Sequence, residues 1–263
     1  MKFYRLSVIA TIFVIATLAC AAKSNNRILN PDNFKGYIEQ FNRTDNELYS
    51  QYIPNDSAWQ FLEENIPFFH CPDKEVETTY YFRWWTFRKH IKLTPAGFII
   101  TEFLPDVRWA GKYNSINCPA GHHFYEGRWL DDNTFLNQYA RFWFTEGNPR
   151  VYSFWAANSL LEYYKVTGDS IVLDLLPDLV DNYRNWETGF TRSKIFIGLN
   201  DDGLFSMMDN YDGMEYQVGG SGKRPTINSY MYGDAMAIAE IAAMTGDKEL
   251  QEEFTQKAKS IKH

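Results

Sequence analysis

"NSYMYGDAMAIAEIAAMTGDKELQEEFTQKAKSIKH", residues 228–263, decides the fold. Its first half carries almost no charge. Met231, Ala235, Ile238 and Ala242 form one helical stripe and Tyr232, Met236, Ala239 and Ala243 another, and a helix apolar on both sides must be covered on both. Its second half has a single stripe, Leu250, Phe254, Ala258 and Ile261, with Lys, Glu and Gln opposite, and so faces water. Thr245-Gly246-Asp247 separates the two: glycine suits the left-handed residue that ends a helix, and the aspartate caps the next one.

The same turn stands 78 residues earlier, where "YSFWAANSLLEYYKV" closes on Thr167-Gly168-Asp169 and "SIVLDLLPDLVDNYRNWE" follows. A weaker copy is "GHHFYEGRWL", Asp131-Asp132, "NTFLNQYARFWF". Each copy pairs an inner helix with an outer one. Stacked hairpins of this kind bury what one hairpin cannot, which predicts an all-α fold, an (α/α)6 toroid of two concentric helical rings with short β-hairpin insertions. Upstream, "DKEVETTYYFRWWTFRKHI" reads as a helix with Val76, Tyr80, Trp84 and Phe87 at helical spacings, and "GFIITEFLPDVRWAG" reads as extended. The long segments between hairpins fall at one end of the ring, where a cleft forms. The loop from Gly203 to Thr226 brings Asp212 and Glu215 to its mouth.

Composition narrows the function. Aromatic residues make up 17% of the chain, with 8 Trp and 17 Tyr, more than a core requires, and such rings form flat platforms that suit sugars. A net charge of -7 with no Lys/Arg cluster argues against a nucleic-acid partner. Lys2 and Arg5 precede an apolar run from Leu6 to Ala19, which is an export signal over residues 1–22. "TLAC" resembles a lipobox, with membrane attachment through lipidated Cys20, in the periplasm or on the outer membrane; ordinary secretion is the alternative. Residues 23–60 read as a lead-in and 61–263 as the helical domain. Cys71 and Cys118 either pair or are small buried apolar groups.

"DGMEYQ…RPTINSYMYGDAMAIAEIAAMTGD", together with "YYFRWWTFRKH", "GHHFYEGRW" and "NPRVYSFWAANSLLEYYKVTGD", resembles the six-hairpin glycosidases related to mannosylglycerate hydrolase and to glycoside hydrolase family 63, in a bacterial lipoprotein branch. The resemblance covers roughly Tyr80 to Asp247. It implies a glycosidase on an oligo- or polysaccharide, exo-acting and inverting, with no cofactor and no metal. The loop acid of that family is the general acid, and the role falls on Glu215, where the family has Asp. Asp212 is the alternative or a helper. Two departures stand out: the family's Trp-x-Trp-Asp motif is not recognisable, and its general base comes from a later loop. Six hairpins do not fit in the roughly 230 residues after the signal, so the expectation is the N-terminal part of the domain, inactive alone. A polysaccharide lyase on the same toroid, or a sugar-binding lipoprotein without catalysis, are the alternatives.

The other candidates carry two readings each. His122 and His123 are adjacent, so one ion does not suit both; sugar contacts or packing remain. Glu126 and Arg128 form either a surface pair or a polar pair in the cavity. Of Trp84 and Trp85, neighbours on a helix, one is core and one exposed, which puts Trp85 with Trp109 and Trp155 among the candidate platforms. Arg224 binds a sugar or caps a helix. Asn228 and Tyr232 match the family's motif. The run Gly219 to Gly222 lacks the Lys-Ser/Thr of a phosphate loop.

Overall fold

The computed structural model describes residues 28–213 and 219–262. In chain order these form α1 (Lys35–Thr44), α2 (Asn55–Asn65), α3 (Lys74–Lys89), β1 (Ile91–Thr94), β2 (Gly97–Ile100), α4 (Ala120–Gly127), α5 (Thr134–Thr145), α6 (Ala156–Thr167), α7 (Ile171–Asp174), α8 (Leu176–Thr188), β3 (Phe190–Arg192), β4 (Ile195–Leu199), β5 (Phe205–Met207), β6 (Gly222–Lys223), α9 (Pro225–Thr245) and α10 (Lys248–Lys262). The architecture is all-α with short β insertions. Contacts group Pro31–His263 as one unit. The export signal, Cys20 and Glu215 lie outside the described residues.

Both Thr-Gly-Asp turns fold as their chemistry dictates. Gly168 and Gly246 take the left-handed conformation at φ 67° and 80°. The following aspartates cap: Asp169 Oδ1 accepts from Ile171 N at 3.0 Å and Asp247 Oδ1 from Leu250 N at 3.0 Å. In the third copy Asp132 Oδ1 accepts from Thr134 N at 2.8 Å. Pro177 marks the break that divides the second outer helix into α7 and α8, because its ring fits a first turn and no helix interior.

The three inner helices, α4, α6 and α9, run parallel. Contacts between them advance in step along all three: His122 meets Trp155 and Trp155 meets Tyr230; Tyr125 meets Asn158 and Asn158 meets Asp234; Arg128 meets Glu162; Lys165 meets Glu240. Their N-termini therefore share one end. Around them α5 packs on α4 through stacked Phe124 and Tyr139, and α8 and α10 meet through Tyr183 and Phe254. Met231, Ala235, Ile238 and Ala242 are all buried, as the stripe predicts. The second stripe of α9 is partly bare, with Met236 at 46% exposed and Ala243 also exposed.

Three expectations need correction. The lead-in is not merely polar: α1 and the first half of α2 lie in it, with Ile38, Phe41 and Ala58 buried. On α3 the buried face is rotated from the expected one. Val76 is exposed, while Glu77, Tyr81, Trp84, Trp85 and Arg88 point inward. Glu77 can be buried because Tyr37 Oη, Lys74 Nζ and Cys71 N donate to it and His70 Nδ1 lies at 2.8 Å. Half of the tryptophans, Trp84, Trp85, Trp143 and Trp186, are core, so the aromatic excess serves packing as much as surface. Among the described residues two sheets complete the fold. β1 and β2 form a hairpin with Ile91 opposite Ile100, and β3-β4-β5-β6 form an antiparallel sheet leading into α9.

Candidate active site

The shared N-terminal end of the inner helices gathers an aromatic group. Trp155, in the non-helical position before α6, has its ring 4.5 Å from that of Tyr230 and 4.7 Å from that of His122, the latter nearly perpendicular. Gly121 is what admits the indole: a Cβ there would lie 2.2 Å from the Trp155 ring. One turn deeper, Tyr125 Oη donates to Asn158 Oδ1 at 2.9 Å. Asp234, alone with Glu240 as a charge on α9, reaches across and accepts from Asn158 N at 2.9 Å and from the amides of Ala156 and Ala157. It supplies from a neighbour the cap that α6 lacks. Burial pushes its carboxyl up to about 8, against those amides, which favour the ion.

The loop with the two acids is fastened on both sides of residues 214–218. Before them, Tyr211 O accepts from Ser153 N at 2.8 Å, the rings of Tyr152 and Tyr211 stack at 5.1 Å, and Gly213 at φ 73° sits against Cys118 Sγ. After them, Arg224 closes the loop. Its Nε donates to Asp212 Oδ2 at 2.5 Å, and its Nη1 meets Asp209 at 3.2 Å and the Gly220 carbonyl. Asp212 has no exposed side-chain surface. A carboxylate committed to a guanidinium and shielded from solvent does not reach a glycosidic oxygen, so Asp212 is removed as alternative acid.

Other candidates are also redirected. Arg224 is a loop clasp, with a side chain only 8% exposed, and neither binds sugar nor caps through its side chain. Asn228 is a structural tie: its amide joins Phe205 N and O and the Arg224 carbonyl. Trp85 is packed between Phe41 and Phe82 and donates to Asn42 Oδ1 at 2.7 Å, so neither Trp84 nor Trp85 faces a cleft. Glu126 and Arg128 do not pair with each other. Glu126 binds Arg83 through two bonds, 3.1 and 2.8 Å, and Arg128 turns to Glu162 at 3.4 Å while lying over Tyr125.

Trp109 remains an exposed ring, beside a cavity shared with Tyr152 and Asn148. Tyr232 is half-buried on the bare stripe of α9. His122 stays at the mouth. His123 leaves it for a second cavity, of about 200 Å³, between α3, the end of β2 and α4, which it shares with Arg83, His90, Glu102 and Glu126. Its Nδ1 lies 3.1 Å from Tyr139 Oη, and burial, with the nearby His90 and His122, holds its ring down to about 3. Sequence reasoning missed Asp234 and Glu102. For Asp234 the signal was present, a carboxylate inside a helix otherwise almost uncharged.

Cys71 and Cys118 are free thiols. Among the described residues no three His, Cys, Asp or Glu side chains converge as a metal would require, and no helix is long and apolar enough to cross a membrane.

Residues 112–263 match the family described as Mannosylglycerate hydrolase MGH1-like glycoside hydrolase domain. Among solved structures the chain is similar to one titled sialidase, at 40% identity and a TM-score of 0.83 over 89% of this chain. It spans only 22% of that protein's chain. No curated protein matches.

Proposed function

This chain belongs to the mannosylglycerate hydrolase MGH1-like glycoside hydrolase family, and from that premise we propose that it carries the acid side of an exo-acting, inverting glycosidase site, with Glu215 as general acid. The observation that carries the reading is the clasp. Arg224 ties Asp212 and Asp209 to the start of α9, so the loop is held beside Trp155, Tyr230 and His122 on both sides of Glu215. Rings of this kind receive the apolar face of a sugar while their polar edges meet its hydroxyls.

In the reaction the Glu215 proton passes to the glycosidic oxygen as the bond to the anomeric carbon breaks. Water adds to that carbon from the opposite face and yields its proton to a second carboxylate, at the roughly 6.5–9.5 Å separation of inverting enzymes. In the family that carboxylate comes from a loop later in the ring. Hydrolysis by this chain joined to the rest of such a ring should fall about 10²- to 10⁴-fold on Glu215→Gln, the usual worth of a general acid, with sialosides among the substrates tried. An unchanged rate would remove Glu215 from the role. NMR of the first product anomer reads the stereochemistry, and retention would overturn inversion.

Export, with attachment through lipidated Cys20, belongs to the same proposal. It rests on the Lys2/Arg5 start, the apolar run and "TLAC". Mass spectrometry of the mature N-terminus tests it: an acylated Cys20 supports anchoring, and an unmodified N-terminus beyond it shows free secretion.

A further inference from the structure

The stretches that lead into α4 and α6 are sewn together by one buried side chain. Asn117 gives its amide hydrogens to the Pro149 and Tyr152 carbonyls at 2.9 and 2.6 Å, and its Oδ1 accepts from Tyr152 N at 3.1 Å. Both hydrogens are thereby spent on structure. Against this floor lies the cavity that Trp109 borders, of about 210 Å³.

A second asparagine fixes the platform beside it. Asn114 Nδ2 donates to the Phe103 and Pro105 carbonyls at 2.9 and 3.0 Å, and its Oδ1 accepts from Val107 N at 3.0 Å, so the segment from Phe103 to Asn114 is drawn into a closed loop. The loop holds Tyr113 and Asn114 in the left-handed region, at φ 59° and 67°, which a loosely held segment would not keep. Trp109 sits within that loop, its ring 61% exposed with Phe103 edge-on at 6.0 Å. A bare indole on a fixed support gives a ligand its platform without an ordering cost.

We infer that this cavity, between the Phe103–Asn114 loop and the leads into α4 and α6, is a second saccharide subsite, adjoining the mouth and built for a neutral sugar ring. It rests on the carbohydrate reading of the chain but not on Glu215. Tyr152 borders the cavity and Trp155 stands in the mouth, three residues on; Asn117 borders it and Gly121, which seats Trp155, is four residues on. Such stretches span at most about 10–14 Å, so one oligosaccharide can touch both places. Room is sufficient as well. At about 15 Å³ of free volume for each water, the cavity holds about a dozen waters, comparable to the non-hydrogen atoms of one hexose.

The lining then selects the ligand. Trp109, Tyr152 and Ile116 offer apolar surface to the ring carbons. The Ser115 hydroxyl and the amide of Asn148, whose Oδ1 already accepts from Arg150 N at 3.2 Å, offer polar partners to the sugar hydroxyls. None of these side chains carries a charge. A uronate or sialate entering the cavity would give up water around its carboxylate and gain no ion partner from the lining. A neutral hexose does not meet that obstacle.

The test uses this chain, labelled with fluorotryptophan and methyl-labelled isoleucine, in NMR titrations with methyl glycosides of glucose, mannose, galactose and N-acetylglucosamine, beside those of glucuronic and N-acetylneuraminic acid. Trp109→Phe and Ile116→Val, both mild changes, identify the two reporter signals by removing them. At least one neutral glycoside should move both signals with a single dissociation constant, and the acids should move neither. Trp109 is exposed and Ile116 buried, so a sugar that merely touches the indole would move the first alone. Ala110→Leu, which fills the cavity, should weaken the binding by about tenfold or more. Trp155→Ala and Glu215→Gln should leave it unchanged. The subsite is overturned if no neutral glycoside moves the Ile116 signal, if the acids bind equally well, if a folded Ala110→Leu protein binds as before, or if Trp155→Ala abolishes the response. Loss of hydrolysis on Glu215→Gln in the completed ring, with both reporters silent, would keep the acid and discard the subsite; the reverse pair of results would keep the subsite alone.

Discussion

Two aspartates lie buried at the same end of the helical ring, each only 2% exposed, and they are held in opposite ways. Asp212 meets a cation, Arg224, which is itself buried. Asp234 meets only backbone amides at the start of α6. The first arrangement fixes a loop to the helix that follows it; the second fixes one inner helix to its neighbour. Asp212 is compensated by the charge of Arg224 and keeps the loop near the aromatic group. Asp234 is compensated largely by a proton. The mouth is therefore assembled by one tie within a connecting loop and one between hairpins, and the two should fail under different insults.

The largest expected effect comes from removing the cation. Arg224→Met takes the cation away from the buried Asp212 carboxylate, which costs about 3–5 kcal/mol, measurable by urea unfolding. Arg224→Met combined with Asp212→Asn should recover most of that loss, because no uncompensated charge remains. If the two single losses simply add in the double variant, the clasp is not a coupled pair.

Next in size is the close approach that seats Trp155. Gly121→Ala drives a methyl group into the indole and should destabilise by about 1–3 kcal/mol, the usual range for overpacking, with loss of sugar binding at the mouth. Gly168→Ala separates packing from backbone strain. Nothing lies within 4 Å of its added Cβ, so only the left-handed conformation is strained, at about 1 kcal/mol. Equal losses at the two glycines would mean that Trp155 moves aside without cost.

How much of this was legible in the sequence follows from the range of each interaction. The turns at Gly168 and Gly246 and the stripes of α9 and α10 were readable because capping and periodicity are local. Two apolar stripes call for cover on both sides of α9; Met231 has it and Met236 does not. What was missed depends on partners distant in sequence. The orientation of α3 turns on Glu77 meeting Tyr37 and on Arg88 meeting Gln51, Asn55 and the Ile53 carbonyl, all supplied by a stretch that reads as linker. Burial alone would raise the Glu77 carboxyl, yet its bonds, led by that from Lys74, hold it down to about 2. Arg224 and Asn228 were singled out correctly as special and assigned the wrong task, since sequence marks an unusual position without naming what it touches. The split of His122 and His123 between two sites was half visible, in that neighbours on a helix cannot point the same way.

The smallest change, read at pH 5, is also the one that sharpens the contrast most. An asparagine in place of Asp234 would keep an oxygen for the α6 amides, so Asp234→Asn should cost no more than about 1 kcal/mol at pH 5. The pH dependence carries the information. The folded carboxyl titrates at about 8 and the unfolded one near its ordinary value of about 3.9. Folding therefore takes up a proton, and the stability this group contributes is fully present below about pH 4 and lost as pH rises through 8, with a slope of at most about 1.4 kcal/mol per pH unit. The asparagine variant does not have that slope. Its stability relative to the natural protein should rise steadily from pH 5 to pH 8 in matched urea titrations, where every other titrating group cancels. If instead the difference between the two proteins stays flat from pH 5 to pH 8, the three amides have kept Asp234 ionised, and the two buried aspartates would differ in partner but not in charge.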